Sequence, residues 1–333
     1  MTTINDIAKK ASVGVGTVSR VLSGKGSVAE KTRRRVLQVM SDLNYRPNGV
    51  ARSLATRRTN TVGIMVPDFH GRYFGRIITA AQRNLQTDGR HILVASSVGG
   101  VAEELAAIDH LRAWECDGLM LYSRAMSDEA IIALIKSYPN VAVINRRVDE
   151  VAEHCFCVDH RYGGVLAAKR LLAGGHEAIA CITGPGHVAD ARERQAGFES
   201  MLAEAGSDPS RLIKLEGDYN YRSGALCMEK LWGTKKGKFT AVFCGNDEMA
   251  IGAMFKLIEL GVRLPEEVSI IGYDNANLSM HTFPKLTTIL NPMDEIAQNA
   301  ANYIQNVCYN DSKEVQNFFM PELVERDSVH SIG

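Results

Sequence analysis

The sequence predicts an α/β protein in two parts: a small N-terminal helix-turn-helix domain and a larger two-lobed body of doubly wound parallel sheets. Three observations predict it. The first 60 residues hold twelve lysines and arginines against three acids, so a net +9 there is offset by −9 in the remainder of a chain whose formal charge is zero. Apolar residues in that basic segment recur at helical spacing. From residue 61 onward, short β-branched runs alternate with helical segments, as in right-handed parallel β-α-β units.

Composition bounds the rest. A chain of 333 residues is about twice the ~150-residue mode of a domain. At 45% apolar and 23% charged it reads as globular. No apolar run approaches the roughly 20 residues of a membrane span. The N-terminus lacks a basic-then-apolar export segment, so a cytoplasmic protein is expected. The closest of the seven cysteines, Cys155 and Cys157, have neither redox nor zinc spacing. Buried free thiols, no metal and no cofactor are expected.

In the basic segment Thr3 and Asp6 have the spacing of a capping box. Ile4, Ile7, Ala8 and Ala11 then share one helical face. A glycine-containing turn (Ser12, Val13, Gly14) leads to a second helix with Val18, Val21 and Leu22 inward, which makes a helix-turn-helix. A third helix is predicted from about Glu30 to Asn44, with Val36, Leu37, Met40 and Leu43 as its buried side. On the second helix Val15, Gly16, Ser19 and Arg20 face outward, placed to enter a major groove. Arg20 suits a bidentate contact to guanine, and Val15 a thymine methyl. Gly16 offers close backbone approach. Thr17, Ser19 and Thr32, with Thr3 at the start of the first helix, suit phosphate. Thr17 and Ser19 also fit solvated helix positions.

TINDIAKKASVGVGTVSRVL at 3–22, followed by NYRPNGVARSLA at 44–55, resembles the N-terminus of the lactose-repressor/galactose-repressor family. The likeness continues to about residue 325, with Val15–Gly16 nearer the galactose branch. Family members usually have serine where Gly14 stands, and glycine there costs only a few tenths of a kcal/mol as a cap. The resemblance implies a hinge helix after Pro47. There Leu54 would wedge into a central minor-groove step, with Ala51 packed nearby and Asn48 and Arg52 near the DNA. It also implies a body like the periplasmic sugar-binding proteins, and hence three domains. These are a DNA-binding domain at 1–46, a hinge at 47–60 and an effector-binding and dimerisation domain at 61–333. The last would comprise one lobe of about 61–158 and 290–320, and another of 159–289 and 321–333.

In the body, strands are expected at 61–67, 91–96, 118–123, 141–145, 155–159, 178–184, 212–217, 241–246 and 268–274. Open parallel sheets bind ligands beyond the carboxyl ends of their strands. Asp68, Phe69, Ser97, Ser123, Asn145, Arg146, Gly184, Tyr219, Asn246, Asp247 and Asp274 stand there. Such carboxylates, amides and arginines engage paired hydroxyls, and an aromatic ring covers a sugar's apolar face. Matching the family adds Tyr73, Phe74, Asp190, Arg192 and Arg194. The expected ligand contacts are Arg194, Asn246 and Asp274, then Asn145, Arg146, Asp190, Tyr219 and Phe74. Competing readings are a helix cap at Asp247 rather than Asn246, Arg147 in place of Arg146, and a core role for Phe74.

No metal cluster, nucleophile elbow or phosphate loop supports an enzyme, and Gly184-Pro185-Gly186 lacks the lysine of the last. A secreted sugar-binding protein would need an export signal, and an architectural DNA-binding protein leaves the clamp unexplained. The expected function is a sequence-specific transcriptional regulator acting on operator DNA, a repressor of sugar uptake or catabolism genes. A small sugar between the lobes would release it; the alternative is a corepressor-dependent regulator that responds to a purine or nucleoside. Residues 325–333 carry no leucine heptad, so a homodimer is expected.

Overall fold

The structure is a computed structural model that describes residues 2–23, 27–45, 58–69, 73–207 and 212–332. The chain divides into two compact units, 1–60 and 61–333.

The first unit holds helices α1 (Ile4–Lys10), α2 (Val15–Ser23) and α3 (Glu30–Asp42). Ile7, Ala8, Ala11, Val18, Val21, Val36 and Val39 form its core. Seven buried side chains, at roughly 1.5–3 kcal/mol for each large one, are what so short a unit has to set against chain entropy. The buried side of α3 departs from expectation: Val39 is inward, whereas Leu37 is 48% exposed. Positions 36, 39, 40 and 43 form one face, and Leu37 lies about 100° off it. The helix stops at Asp42, and Asn44 turns the chain in a left-handed conformation (φ +46°). The hinge residues Asn48, Ala51, Arg52 and Leu54 lie outside the described residues.

The second unit has two six-stranded sheets. One contains β1 (Thr61–Val66), β2 (His91–Ser96), β3 (Gly118–Leu121), β4 (Val141–Ile144), β5 (Cys155–Val158) and β11 (Phe318–Phe319), in the order β11-β5-β4-β3-β1-β2. The other contains β6 (Ile179–Thr183), β7 (Ile213–Glu216), β8 (Ala241–Cys244), β9 (Ser269–Asp274), β10 (Thr287–Leu290) and β12 (Glu322–Val324), in the order β12-β10-β9-β8-β6-β7. Among the described residues all pairings are parallel except β10 with β12. Strands β1 to β9 fall on the expected runs. The last three were not expected, being runs of only two to four residues, too short to stand out.

Helices α4 (Tyr73–Gln86), α5 (Val101–Ala113), α6 (Asp128–Ser137) and α11 (Met293–Tyr309) cover the first sheet. The second is covered by α7 (His160–Ala173), α8 (Ala189–Glu204), α9 (Tyr221–Lys235) and α10 (Asp247–Glu259). Each sheet has an apolar cluster on either face. The chain passes between lobes three times over short links, after β5, after β10 and between β11 and β12. Helices α7 and α8 pack backbone to backbone. A Cβ on Gly164 would collide with the Arg194 carbonyl, and one on Gly197 with that of Arg161. This approach fixes His160 and Arg194 relative to each other.

Candidate functional site

In the N-terminal unit the capping box forms: Asp6 Oδ2 accepts from Thr3 N and Oγ1 at 2.8 Å, and Thr3 Oγ1 accepts from Asp6 N at 3.4 Å. The hydrogen bond from the Thr3 backbone holds the Asp6 carboxyl below its ordinary range. On α2, Val15 is 42% exposed, and Gly16, Ser19 and Arg20 are exposed with it, while Thr17 is half-buried. Arg20 Nε donates to Gly16 O at 3.2 Å, which keeps the guanidinium along the open face. A Cβ on Gly16 would meet only the Arg20 side chain, at 3.7 Å, so packing inside the unit does not demand glycine there. Thr32 is half-buried near the start of α3.

In the body a cavity of about 290 Å³ opens between the lobes. Asp68, Tyr73, Phe74, Tyr122 and Arg124 line it from the first. Asp190, Arg194, Asp218, Tyr219, Asn220, Asn246, Glu248 and Asp274 line it from the second. Strand ends supply several of these, and three cleft residues have positive φ: Asn145 (+63°), Tyr219 (+71°) and Asp274 (+103°). Such backbone costs about 1–3 kcal/mol per residue and clusters where function holds it. Gly184 makes room for one of them, since a Cβ there would overlap the Tyr219 ring.

Arg194 organises the second lobe's wall. Its Nη1 donates to Gly245 O at 2.6 Å, and its Nη2 lies 3.3 Å from Asp274 and 3.8 Å from Asp190. Its guanidinium stacks 3.8 Å above the Tyr273 ring. Asp190 also accepts from Tyr219 OH (2.8 Å), Asn145 Nδ2 (2.8 Å) and Tyr122 OH (3.2 Å), the last two from the opposite lobe. Burial opposes ionisation of both carboxyls. Arg194, Arg124 and the Tyr219 hydroxyl nevertheless bring Asp190 below its ordinary pKa, whereas Asp274, with fewer donors, stays above it. Burial also pushes His160 down to about 3, with Arg194 adding to it. A neutral His160 carrying its proton on Nε2 donates to Asn145 Oδ1 (2.9 Å) and accepts from Arg194 Nε at Nδ1 (3.3 Å).

The structure brings Phe74, Asp190, Arg194, Tyr219, Asn246 and Asp274 to the cavity. Phe74 is at once lining and core, 4% exposed and edge-on to Tyr122. Asn145 lies just behind the wall, on Tyr122, Asp190 and His160. Arg146 does not reach the cavity: Asp128 (2.5 Å) and Met126 O (2.6 Å) hold it away. Arg147 does not replace it, being paired with Asp149 at 2.8 Å. The cap of α10 is Asn246, whose Oδ1 accepts from Met249 N at 3.0 Å while Nδ2 donates to Tyr219 O at 2.8 Å. Asp247, expected to fit that role better, accepts instead from Thr288 Oγ1 (2.6 Å) and Ala276 N (2.7 Å). Arg192 donates to the carbonyls of Gly186 and His187, and Ser97 to that of Val66.

Sequence reasoning missed Tyr122, Arg124, Asp218, Asn220 and Glu248. Arg124 lies three residues beyond the end of β3 and one past Ser123, the position that the strand-end rule nominated. Ser123 turns away, donating to the buried Glu104 carboxylate at 2.6 Å. Glu104 also accepts from the backbone N–H groups of Arg124 (2.7 Å), Ala125 (3.0 Å) and Met126 (3.1 Å). Among the described residues no cluster of side chains could hold a metal ion, and no helix is long and apolar enough to cross a membrane.

Residues 3–48 match the family model described as bacterial regulatory proteins, lacI family, and residues 168–329 that of a periplasmic binding protein-like domain. The chain is 35% identical over 332 residues to the HTH-type transcriptional regulator AscG of Escherichia coli K12, covering 99% of this chain and 98% of AscG. It is 34% identical over 330 residues to the regulator GalR of the same organism, covering 99% and 96%. Among solved structures, the lac repressor dimer bound to operator and the anti-inducer ONPF aligns with a TM-score of 0.88 at 28% identity, over 99% of each chain.

Proposed function

The chain belongs to the lacI family of bacterial regulatory proteins and is a DNA-binding transcriptional regulator, and from that premise we propose that it is a repressor released from its operator by a sugar bound between its lobes. The single observation that carries the sugar is the cavity wall: Arg194 pinned between two carboxylates, beside Asn246 and the Tyr219 ring. Fixed acceptors and donors next to an aromatic face suit a ring bearing several hydroxyls. Asn246 and Asp274 complete the contacts, with Asp190, Phe74 and Tyr219 around them and Asn145 acting from behind. Arg146 drops out of this set. Relatives over nearly the whole chain are regulators rather than enzymes.

On the DNA side Val15, Gly16 and Arg20 would read bases, and Thr3, Thr17, Ser19 and Thr32 would hold phosphates. Asn48, Ala51, Arg52 and Leu54 would form the hinge, so that 1–46, 47–60 and 61–333 act as separate parts. A homodimer on a pseudo-palindromic operator suits the exposed large apolar residues of the body, among them Val101, Leu105, Trp114, Phe255, Ile258 and Phe283, the last 92% exposed. In the cytoplasm, ligand in the cleft would set the lobe angle, and with it the spacing of the two DNA-binding units.

Fluorescence anisotropy on a pseudo-palindromic operator with a central CG step, at fixed salt, tests this reading. One sugar from a panel of sugars and purines should release the protein. Tightening by that sugar would make it a corepressor, and indifference to every compound would remove the clamp from the account.

A further inference from the structure

Of the two arginines that line the cavity, Arg124 is the one whose side chain has no hydrogen-bonding partner among the described residues. Arg194, the other, is tied to two carboxylates and a carbonyl. The Nε of Arg124 is buried with no acceptor, and no ion pair joins its guanidinium to a described carboxylate. Three rings frame it instead: Phe74 at 5.2 Å, and Tyr122 and Tyr219 at 5.8 Å. Aromatic faces steady a cation but accept none of the five N–H donors of a guanidinium. Its backbone is not adrift, because Glu104 grips residues 123–126 through four hydrogen bonds. Glu104 is 2% exposed, so a buried carboxylate is committed to holding this loop in place.

Buried charges in proteins are paired, and a planar guanidinium matches carboxylate and phosphate oxygens two at a time. A cation that is held firmly, partly desolvated and unpaired at a cavity wall therefore lacks an anion that arrives with the ligand. We propose that the effector is a sugar carrying an anionic group, a carboxylate or a phosphoryl ester, and that Arg124 is the residue that selects it. This rests on the sugar reading above. Hydroxyls would meet Asp274 and Asn246, and the anion would sit at Arg124, which feels the Asp190 charge but forms no ion pair with it.

The test is calorimetric titration of the full-length protein with matched sets at one salt concentration: galactose, galacturonate and galactose 6-phosphate; glucose, glucuronate and glucose 6-phosphate; ribose and ribose 5-phosphate. Inorganic phosphate alone is the control. In at least one set the anionic sugar should bind about tenfold or more tighter than its neutral parent, the equivalent of one charge-assisted pair. In the galactose and glucose sets the carboxylate and phosphoryl members tell the two anions apart. Arg124→Gln should bring parent and anion to within about twofold, and Arg124→Lys should keep the order at reduced preference, since a point charge replaces the fork. A neutral sugar that binds as tightly as its anionic derivatives overturns the proposal and leaves the sugar reading standing, as does a preference that survives Arg124→Gln. Binding by inorganic phosphate alone with the same affinity as the sugar phosphate also overturns it. If no sugar in any set binds while operator binding persists, both readings fall.

Discussion

Replacing Arg194 by methionine is the sharpest perturbation of the cleft. The change keeps much of the side-chain volume and removes the charge. It leaves Asp190 and Asp274, both buried, without their cation, and Gly245 O without its 2.6 Å donor. It also removes the guanidinium from the face of Tyr273. Breaking one partner out of a buried ion pair costs about 3–5 kcal/mol. An orphaned buried carbonyl costs about 1–3 kcal/mol and a desolvated cation–π contact about 2 kcal/mol, both overlapping with the first. A total near 4 kcal/mol is expected, reduced where Asp274 takes up a proton. Urea unfolding followed by circular dichroism measures it. Arg194→Met with Asp274→Asn should recover about 0.5–3 kcal/mol, because the orphaned charge has gone. A loss below about 1 kcal/mol for Arg194→Met would refute the reasoning, since a buried pair cannot be broken that cheaply.

Other outcomes follow from the same structure. Gly184→Ala should leave the protein folded and weaken sugar binding about tenfold or more by displacing the Tyr219 ring, as titration would show. Burial holds the Asp247 carboxyl well above the usual carboxylate range, with the Asp274 charge adding to it against the Thr288 hydrogen bond. The folded state thus binds this proton more tightly than the unfolded chain, so the contribution is present below about pH 4 and is lost as pH rises through the folded value. Asp247→Asn should therefore flatten the decline in urea midpoint from pH 4 upward; an unchanged profile would contradict this. Arg20→Met should cost about 1–3 kcal/mol of operator binding and relax preference at one base pair, whereas Thr32→Val should weaken all sequences alike. Gly16→Ala should stabilise the N-terminal unit by up to about 1 kcal/mol in thermal unfolding while weakening operator binding, because α2 does not need glycine for its own packing.

Much of the molecule was legible because local rules and fold agree. Thr3 and Asp6 announce a helix start by their spacing, and the runs at β1 to β9 announce strands by their β-branching. The strand-end rule by itself brought Tyr219, Asn246 and Asp274 to the cavity, whereas Phe74, Asp190 and Arg194 came only with the family likeness. Its failures concern direction. Arg146 stands at the end of the correct strand, but Asp128 on α6, 18 residues away in sequence, turns it aside. Glu104 reads as one of two adjacent surface acids in VAEEL; its neighbour Glu103 does cap α5 at Gly100, while Glu104 is buried under a loop whose position no periodicity encodes. Arg124 was missed for the same reason. Leu37 and Val39 exchanged roles because two apolar residues either side of Gln38 leave the helix face ambiguous over a single turn.

The central claim is that cleft and DNA-reading helix are linked, and linkage is reciprocal. The most direct measurement is the affinity of the effector sugar for the free protein and for the protein saturated with operator, by calorimetry at one salt concentration. Operator should weaken sugar binding by the same factor by which sugar weakens operator binding. Equal sugar affinity in the two states would contradict it.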